Sequence, residues 1–383
     1  EPVKIGIACY PTFGGSGVVA TELGHELALR GHDVHFISYA LPSRLNLFAE
    51  RVSYHEVSVP TYPLFNYPPY DLALATRIVD VALHEGLDLL HAHYALPHAI
   101  SAHLAREMLL PRRLAVVTTL HGTDVTIVGQ DRSYLPITRF GIERSDAVTA
   151  VSDYLARVTR EVFAPAKEID VVPNFVDPDR WRPDDGQRGT TCFARGGERL
   201  LLHVSNFRPV KRVLDVVEVF DRVRREVPSR LLMIGDGPDR PAAEALCRAK
   251  GISGLVHFLG NTPAVQEVMP AADLYVLTTD MESFGLSALE AQACGVPVLG
   301  YVAGGLPEVV EPGRTGFLRE VGDVDGLARD GVGLLKDDVA WGETSRAARA
   351  RAVGHFRADA IVGRYLAIYE RVLAAADALV AGG

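Results

Sequence analysis

The chain has 383 residues, enough for two or three domains at about 150 residues each, and is 48% hydrophobic, 23% charged and 8% aromatic. That composition excludes disordered, collagenous and disulfide-stapled proteins. With 39 basic and 48 acidic side chains the net charge is −9, so no nucleic-acid footprint is expected.

Residues 3–9 form an apolar run that predicts a buried strand, and the Gly-rich turn behind it opens a helix over 17–30. Strands are expected at 33–38 and 52–59, a helix over 70–85, a strand at 88–93, a helix over 98–110, and strands at 114–120, 146–151 and 169–172. Residues 177–198 are rich in Pro, Gly, Asp and Arg without any period, which marks a linker. A second series places strands at 200–204, 230–234, 256–259, 273–278 and 298–301, followed by helices over roughly 341–380. Strands alternating with helices argue for parallel sheets covered on both faces. The expected fold class is therefore α/β, with two doubly wound Rossmann-like domains, 1–175 and 176–356, facing across a cleft. A C-terminal helix, about 357–383, is expected to cross back onto the first domain. Ligands of open parallel sheets bind outside the carboxyl ends of strands, which puts the expected site in that cleft.

The four cysteines, Cys9, Cys192, Cys247 and Cys294, stand far apart with no C-x-x-C, spacing that suits neither a metal site nor a disulfide framework. A reduced, cytoplasmic setting is expected. No charged leader precedes the apolar run at Val3, and no stretch of about 18 uncharged apolar residues exists, so neither a signal peptide nor membrane insertion is expected. Of the 39 basic residues five are lysine (Lys4, Lys167, Lys211, Lys250 and Lys336), which makes a lysine within a motif informative.

Three constellations fall at strand ends. The first is Gly14-Gly15-Ser16-Gly17, where glycines let backbone approach a ligand and a helix start attracts anions. The dinucleotide fingerprint G-x-G-x-x-G does not fit there, and Ser38-Tyr39 stand where its acidic residue would be. The second is Glu282-Ser283-Phe284-Gly285 followed by Glu290. Ser283 suits an N-cap for a helix over 284–294, exposing the amides of Phe284, Gly285 and Leu286 to a pyrophosphate. Glu282 would then accept sugar hydroxyls, and Glu290, two turns along, could reach a ribose. The third runs from Ser205 to Arg212: Lys211, at an expected helix start, suits the charge of a leaving diphosphate, with Arg208 or Arg212 sharing that role.

GGSG, N-x-x-x-x-K, ESFGLSALEA-x-ACGVPV and GG-L-P-E-V-V together resemble the retaining GT-B glycosyltransferases of family 4, over essentially the whole chain. CYPTFGGSGVVATELG, LFNYPPYDLALA, HAHYALPHA and TTLHGTD are similar to the branch of that family acting in bacillithiol synthesis. The resemblance implies UDP-GlcNAc as donor, L-malate as acceptor, GlcNAc-α-malate and UDP as products, and no cofactor. It implies backbone contact to the donor from Gly15, diphosphate contacts from Asn206 and Lys211, sugar contact from Glu282 and ribose contact from Glu290. Asn206 stands where the family more often has Arg. The strand end Phe258-Leu259-Gly260 would meet uracil through its backbone. A front-side mechanism is implied, in which the departing phosphate takes the acceptor proton, so neither a glycosidase-like carboxylate pair nor a metal is required. The triplets Asp177-Pro178-Asp179 and Asp323-Val324-Asp325 read as structural.

Malate's two carboxylates need donors and positive charge. Candidates at first-domain strand ends are Ser16, Tyr94, Thr118, Thr119, His121 and Asp124, with Arg139 on a later helix as the favoured bidentate partner. The alternative for Arg139 is a helical ion pair with Glu143. His121 is expected to orient a sugar hydroxyl or acceptor group, with Asp124 orienting it in turn, so Lys211, Glu282 and His121 are the expected catalytic set. His91 and His93 share a strand face but no third ligand is fixed, and no metal is expected. Rival readings keep the fold and change the acceptor to an inositol phosphate or lipid, or make the protein a UDP-GlcNAc epimerase or a sugar-nucleotide binding module. A homo-oligomer stays open.

Overall fold

The computed structural model describes residues 2–12, 14–184, 193–194 and 196–381. Residues 185–192 (hence Cys192) and 195 of the expected linker, and 382–383 of the expected C-terminal helix, lie outside the described residues. The chain divides into two compact units, Glu1–Pro173 with Asp359–Gly383, and Asn174–Ala358.

Among the described residues the first unit has seven parallel strands: β1 (Lys4–Ala8), β2 (Asp33–Ser38), β3 (Val52–Glu56), β4 (Leu89–His93), β5 (Ala115–Leu120), β6 (Ala147–Ala150) and β7 (Asp170–Val171). They lie in the order β3-β2-β1-β4-β5-β6-β7, with Ile5 paired to Val34 on one side and Leu89 on the other. Ile5, Ile7, Phe36, Leu89 and Val117 are fully buried. A parallel sheet covered on both faces hides both sides of each strand, which is why these segments read as unbroken apolar runs. Ser152 caps the helix Asp153–Phe163 by accepting the Leu155 amide at 3.0 Å. The helix Ala358–Ala381 closes this unit from its Asp359 onward: Tyr365 and Tyr369 are buried, and Arg371 reaches Asp170 at 2.5 Å.

The second unit, among the described residues, has six parallel strands: β8 (Arg199–Val204), β9 (Ser229–Ile234), β10 (Val256–Gly260), β11 (Leu274–Leu277), β12 (Val298–Tyr301) and β13 (Gly316–Arg319). Their order is β10-β9-β8-β11-β12-β13. β13 was not among the expected strands. It is a short edge strand with one face wet, so it has no apolar run to announce it, and Gly316 lies where a Cβ would collide with the Val298 backbone.

Strand order reverses between β1 and β4 in the first unit and between β8 and β11 in the second. Such switch points open a crevice between loops diverging to opposite faces. The loops leaving β1, β4, β8 and β11 carry Gly15 and Ser16, Tyr94, Asn206 and Lys211, and Glu282 and Ser283 respectively. Among the described residues no helix is long and apolar enough to cross a membrane.

Candidate active site

In the second unit the loop leaving β8 makes a single 3-10 turn over Pro209–Lys211, then Arg212 swings to φ 46° before the helix Val213–Val223 begins. Lys211 therefore precedes the helix instead of opening it. The loop leaving β11 is tied to this one. The Thr278 hydroxyl donates to the Arg212 carbonyl at 3.0 Å, the Thr279 hydroxyl to the Val210 carbonyl at 3.1 Å, and the Asp280 amide to Val210 at 3.0 Å. These bonds set Lys211 Nζ 2.7 Å from Glu282 Oε2, with side chains only 20% and 16% exposed. The Glu282 carbonyl accepts the Gly305 amide at 2.7 Å, which fixes the loop from its other side.

The following helix runs Leu286–Ala293, two residues later than expected, and Gly285 precedes it in place of Ser283, at φ 99° with no side-chain cap. Glycine adopts that conformation without steric cost. Phe284 turns inward, 2% exposed, with its ring 5.7 Å from that of Phe356. The amides a helix start offers to an anion are thus those of Gly285, Leu286, Ser287 and Ala288. The Phe284 side chain packs inward, and its amide lies one residue before the Gly285 cap. Glu290 is on the next turn of that helix and 6% exposed.

Asn206 is exposed in the β8 loop. Its neighbours were missed by sequence reasoning: a Cβ on Gly235 or Gly237 would collide with the carbonyls of Ser205 or Asn206 respectively, so the β9 loop lies flush against the backbone that presents Lys211. The signal was present as G-D-G-P directly after a strand. At the end of β10 the Gly260 carbonyl accepts the Gly235 amide at 2.9 Å, so that carbonyl is engaged within the protein. Leu259 is 39% exposed, and the Arg240 guanidinium lies 5.8 Å from the centroid of the Phe258 ring.

In the first unit Gly15, at φ 60°, precedes the helix Ser16–Leu29, and Ser16 is 6% exposed. A Cβ on Gly14 or Gly15 would meet nothing, so open space faces this turn. Beyond β4 and β5 four rings form a column. His91 and His93, on one face of β4, have centroids 4.3 Å apart; His121 follows His93 at 5.1 Å, and Tyr94 lies 5.5 Å from His121. His93 Nδ1 and His121 Nε2 share a hydrogen bond of 2.9 Å. Tyr94 holds this stack with φ 95°, a conformation costly for a bulky residue and typical of functional loops. Tyr10, edge-on to both Tyr94 and His98, completes the cluster and was not anticipated.

Burial keeps these imidazoles neutral: His91, His98 and His121 are each pushed down to about 3, and His93 well below its ordinary value. His121 can therefore orient a hydroxyl but carries no charge at neutral pH.

The other residues expected at the acceptor site take the following positions. Thr118 and Thr119 lie inside a central strand and are fully buried. The Thr118 hydroxyl meets Ser145 Oγ at 2.7 Å, and that of Thr119 meets His91 Nε2 at 2.7 Å and Thr149 Oγ1 at 2.6 Å. Both hydroxyls are thus engaged by side chains of neighbouring elements. Asp124, 1% exposed, accepts the amides of Ala95, Gly122 and His121 at 2.9, 2.9 and 3.2 Å. It holds the His121 backbone, while His93 holds the His121 ring. Burial raises its carboxyl against the opposing pull of those amides. Arg139 is exposed on the helix Leu135–Arg144; its guanidinium reaches the Ala164 carbonyl at 3.5 Å, and Glu143 takes the Ala166 amide in place of an ion pair with it. Its bond draws it to the end of a neighbouring helix instead of to the ring column.

Comparison with known proteins follows this division. The family described as Glycosyltransferase Family 4 matches residues 13–180, and the family described as Glycosyl transferases group 1 matches residues 193–352. The N-acetyl-alpha-D-glucosaminyl L-malate synthase of Bacillus anthracis is 48% identical over 372 residues, covering 97% of each chain. A D-inositol 3-phosphate glycosyltransferase of Mycobacterium avium is 30% identical over 386 residues, covering 94% of this chain and 89% of its own. Among solved structures, sucrose-phosphate synthase from Thermosynechococcus elongatus superposes with a TM-score of 0.81 at 21% identity, over 97% of this chain and 100% of that one. HepE from Anabaena, solved with UDP and glucose, gives 0.80 at 20% identity, over 96% and 99%.

Proposed function

The chain belongs to the family 4 glycosyltransferases, and on that premise we propose that it moves N-acetylglucosamine from UDP-GlcNAc to the hydroxyl of L-malate, giving GlcNAc-α-malate and UDP, the opening step of bacillithiol synthesis. The observation that carries the reading is the Lys211–Glu282 pair beside the start of the helix Leu286–Ala293, a cation, a carboxylate and a row of amides gathered at one switch point.

The bond from the anomeric carbon to the diphosphate oxygen breaks, and a bond to the malate oxygen forms on the same face. The malate proton passes to an oxygen of the departing UDP. The protein's contribution is positioning and charge stabilisation. Lys211 and the helix amides receive the charge that develops on UDP, Glu282 accepts sugar hydroxyls, and Glu290 accepts those of the ribose. Neutral His121, locked by His93 and stacked on Tyr94, aligns a hydroxyl without exchanging a proton. In the first unit, Ser16 and the Gly15 backbone, at a helix start facing open space, are the groups proposed for substrate contact.

No metal or cofactor enters this scheme. In support, Asp177 accepts the Asp179 amide at 2.9 Å, Asp323 caps the helix Val324–Lys336 through Gly326 at 2.9 Å, and Asp325 pairs with Arg222 at 2.5 Å, so three of the four D-x-D carboxylates are engaged within the protein. We place the reaction in the cytosol; Cys9, Cys247 and Cys294 are buried and not joined in a disulfide.

The test is UDP release from UDP-GlcNAc with and without L-malate, in chelator, with products weighed by mass spectrometry. A GlcNAc–malate adduct and UDP appearing together only with malate is the expected result. Turnover with inositol phosphate but not malate would move the chain to the acceptor of its mycobacterial relative. Conversion of the donor with no acceptor present would indicate an epimerase.

A further inference from the structure

Away from the residues used above, His35 on β2, His55 on β3 and Glu85, the last residue of the helix Tyr70–Glu85, converge. His35 pairs across the sheet with Ser53 and Ile37 with His55, so the two histidines are diagonal neighbours on one face. His35 Nδ1 and His55 Nε2 stand 3.0 Å apart, and one ligand atom from each, together with a Glu85 carboxylate oxygen, all lie within 4.8 Å of one another. His35 is 6% exposed, and His55 and Glu85 are half-buried.

A histidine pair sharing one hydrogen bond accounts for one nitrogen of each ring. It does not account for a carboxylate brought to the same point. We propose that His35, His55 and Glu85 bind a divalent transition ion of the zinc class, with water completing the shell. Two imidazoles and one carboxylate suit zinc, nickel or copper, whereas calcium and magnesium prefer all-oxygen shells. Two nitrogens bound tetrahedrally at about 2.0–2.1 Å stand about 3.3 Å apart, so the pair needs to open by only a few tenths of an ångström. The ring that now donates the shared hydrogen bond moves its proton to its other nitrogen, and the pair releases none. Lys4 donates to the Glu85 main-chain carbonyl at 2.8 Å, not to its carboxylate.

The ion takes no part in sugar transfer. Its effect is on β3, which among the described residues is an edge strand paired only with β2 and is half wet along its length. Zinc would staple that edge to β2 and to the end of the helix Tyr70–Glu85.

The experiment uses the full chain stripped with chelator, then titrated with Co²⁺ followed by Zn²⁺. Expected are one equivalent of cobalt with visible d–d bands, its displacement by zinc, and a higher melting temperature with zinc. Glu85→Gln and His55→Ala should each weaken zinc binding roughly tenfold or more while the metal-free chain keeps its far-UV spectrum. Absence of cobalt bands in the unaltered chain would overturn the proposal. So would a Glu85→Gln chain, folded as the parent, that binds zinc equally well. Because every readout is binding or melting, failure here is separable from failure of the transfer reaction.

Discussion

The ammonium of Lys211 and the carboxylate of Glu282 face each other at 2.7 Å from two loops that leave adjacent strands, β8 and β11. Each charge keeps the other in place before a donor arrives, so neither has to be ordered at the moment of reaction. Lys211→Ala is expected to lower kcat about 100-fold or more, by removing the cation that receives the leaving charge and leaving Glu282 unpaired. Lys211→Arg should recover UDP affinity better than kcat. Steady-state rates with a UDP binding isotherm check this; a kcat within about threefold of the parent would take Lys211 out of the leaving-group role.

Glu290 is 6% exposed on the helix whose first amides are proposed to meet the diphosphate. Glu290→Gln is expected to raise the KM for UDP-GlcNAc about tenfold, the loss associated with one charge-assisted hydrogen bond. The same change should abolish discrimination against a donor with 2′-deoxyribose. Equal preference for ribose in parent and variant would refute the ribose contact.

His91, His98 and His121 are held neutral down to about 3 and His203 to about 4, against an ordinary 6.5, all through burial. Below pH 6.5 the unfolded chain binds protons that the folded chain refuses. Stability is therefore complete above that value and falls as pH drops through the window from 6.5 toward 3, by up to about 1.4 kcal/mol per pH unit for each histidine. Urea midpoints should be level from about pH 7 to 8 and decline steeply below about pH 6. His98→Phe, which removes one of these groups, should flatten the decline. Midpoints that stay level to about pH 5 would mean the rings are solvated.

Gly285 sits at φ 99° with Leu306 Cδ1 2.8 Å from where a Cβ would stand. Gly285→Ala is expected to cost roughly 1–3 kcal/mol and to shift the amides at the helix start. Thermal melting should show the first effect, and weaker UDP binding the second. A variant that melts lower yet binds UDP as the parent does would separate the helix start from the diphosphate.

How legible all this was in the sequence depended on how local the cause was. The buried strands of both sheets announced themselves as apolar runs, while Glu282 and Glu290 stood out by their spacing and Lys211 as a rare lysine at an expected helix start. The helix start at Leu286 did not, because Ser283 is a good cap by type and the decision lies in Gly285 taking a left-handed turn while Phe284 packs on Phe356, 72 positions away in sequence. Thr118 and Thr119 were expected to end a strand, yet they sit within β5, and their partners, Ser145 for Thr118 and both His91 and Thr149 for Thr119, come from other elements. The ring column was invisible for the same reason: His93 and His121 meet only once β4 and β5 pair.

Gly235 and Gly237 touch no substrate in the scheme above, yet each abuts the carbonyl of a residue in the Lys211 loop. Any side chain there must push that loop outward, carrying Asn206 and Lys211 with it. In a saturation mutagenesis screen scored by turnover, these two glycines would rank with the charged residues themselves. Scores alone would misread as ligand contact what is a shortage of room between two stretches of main chain.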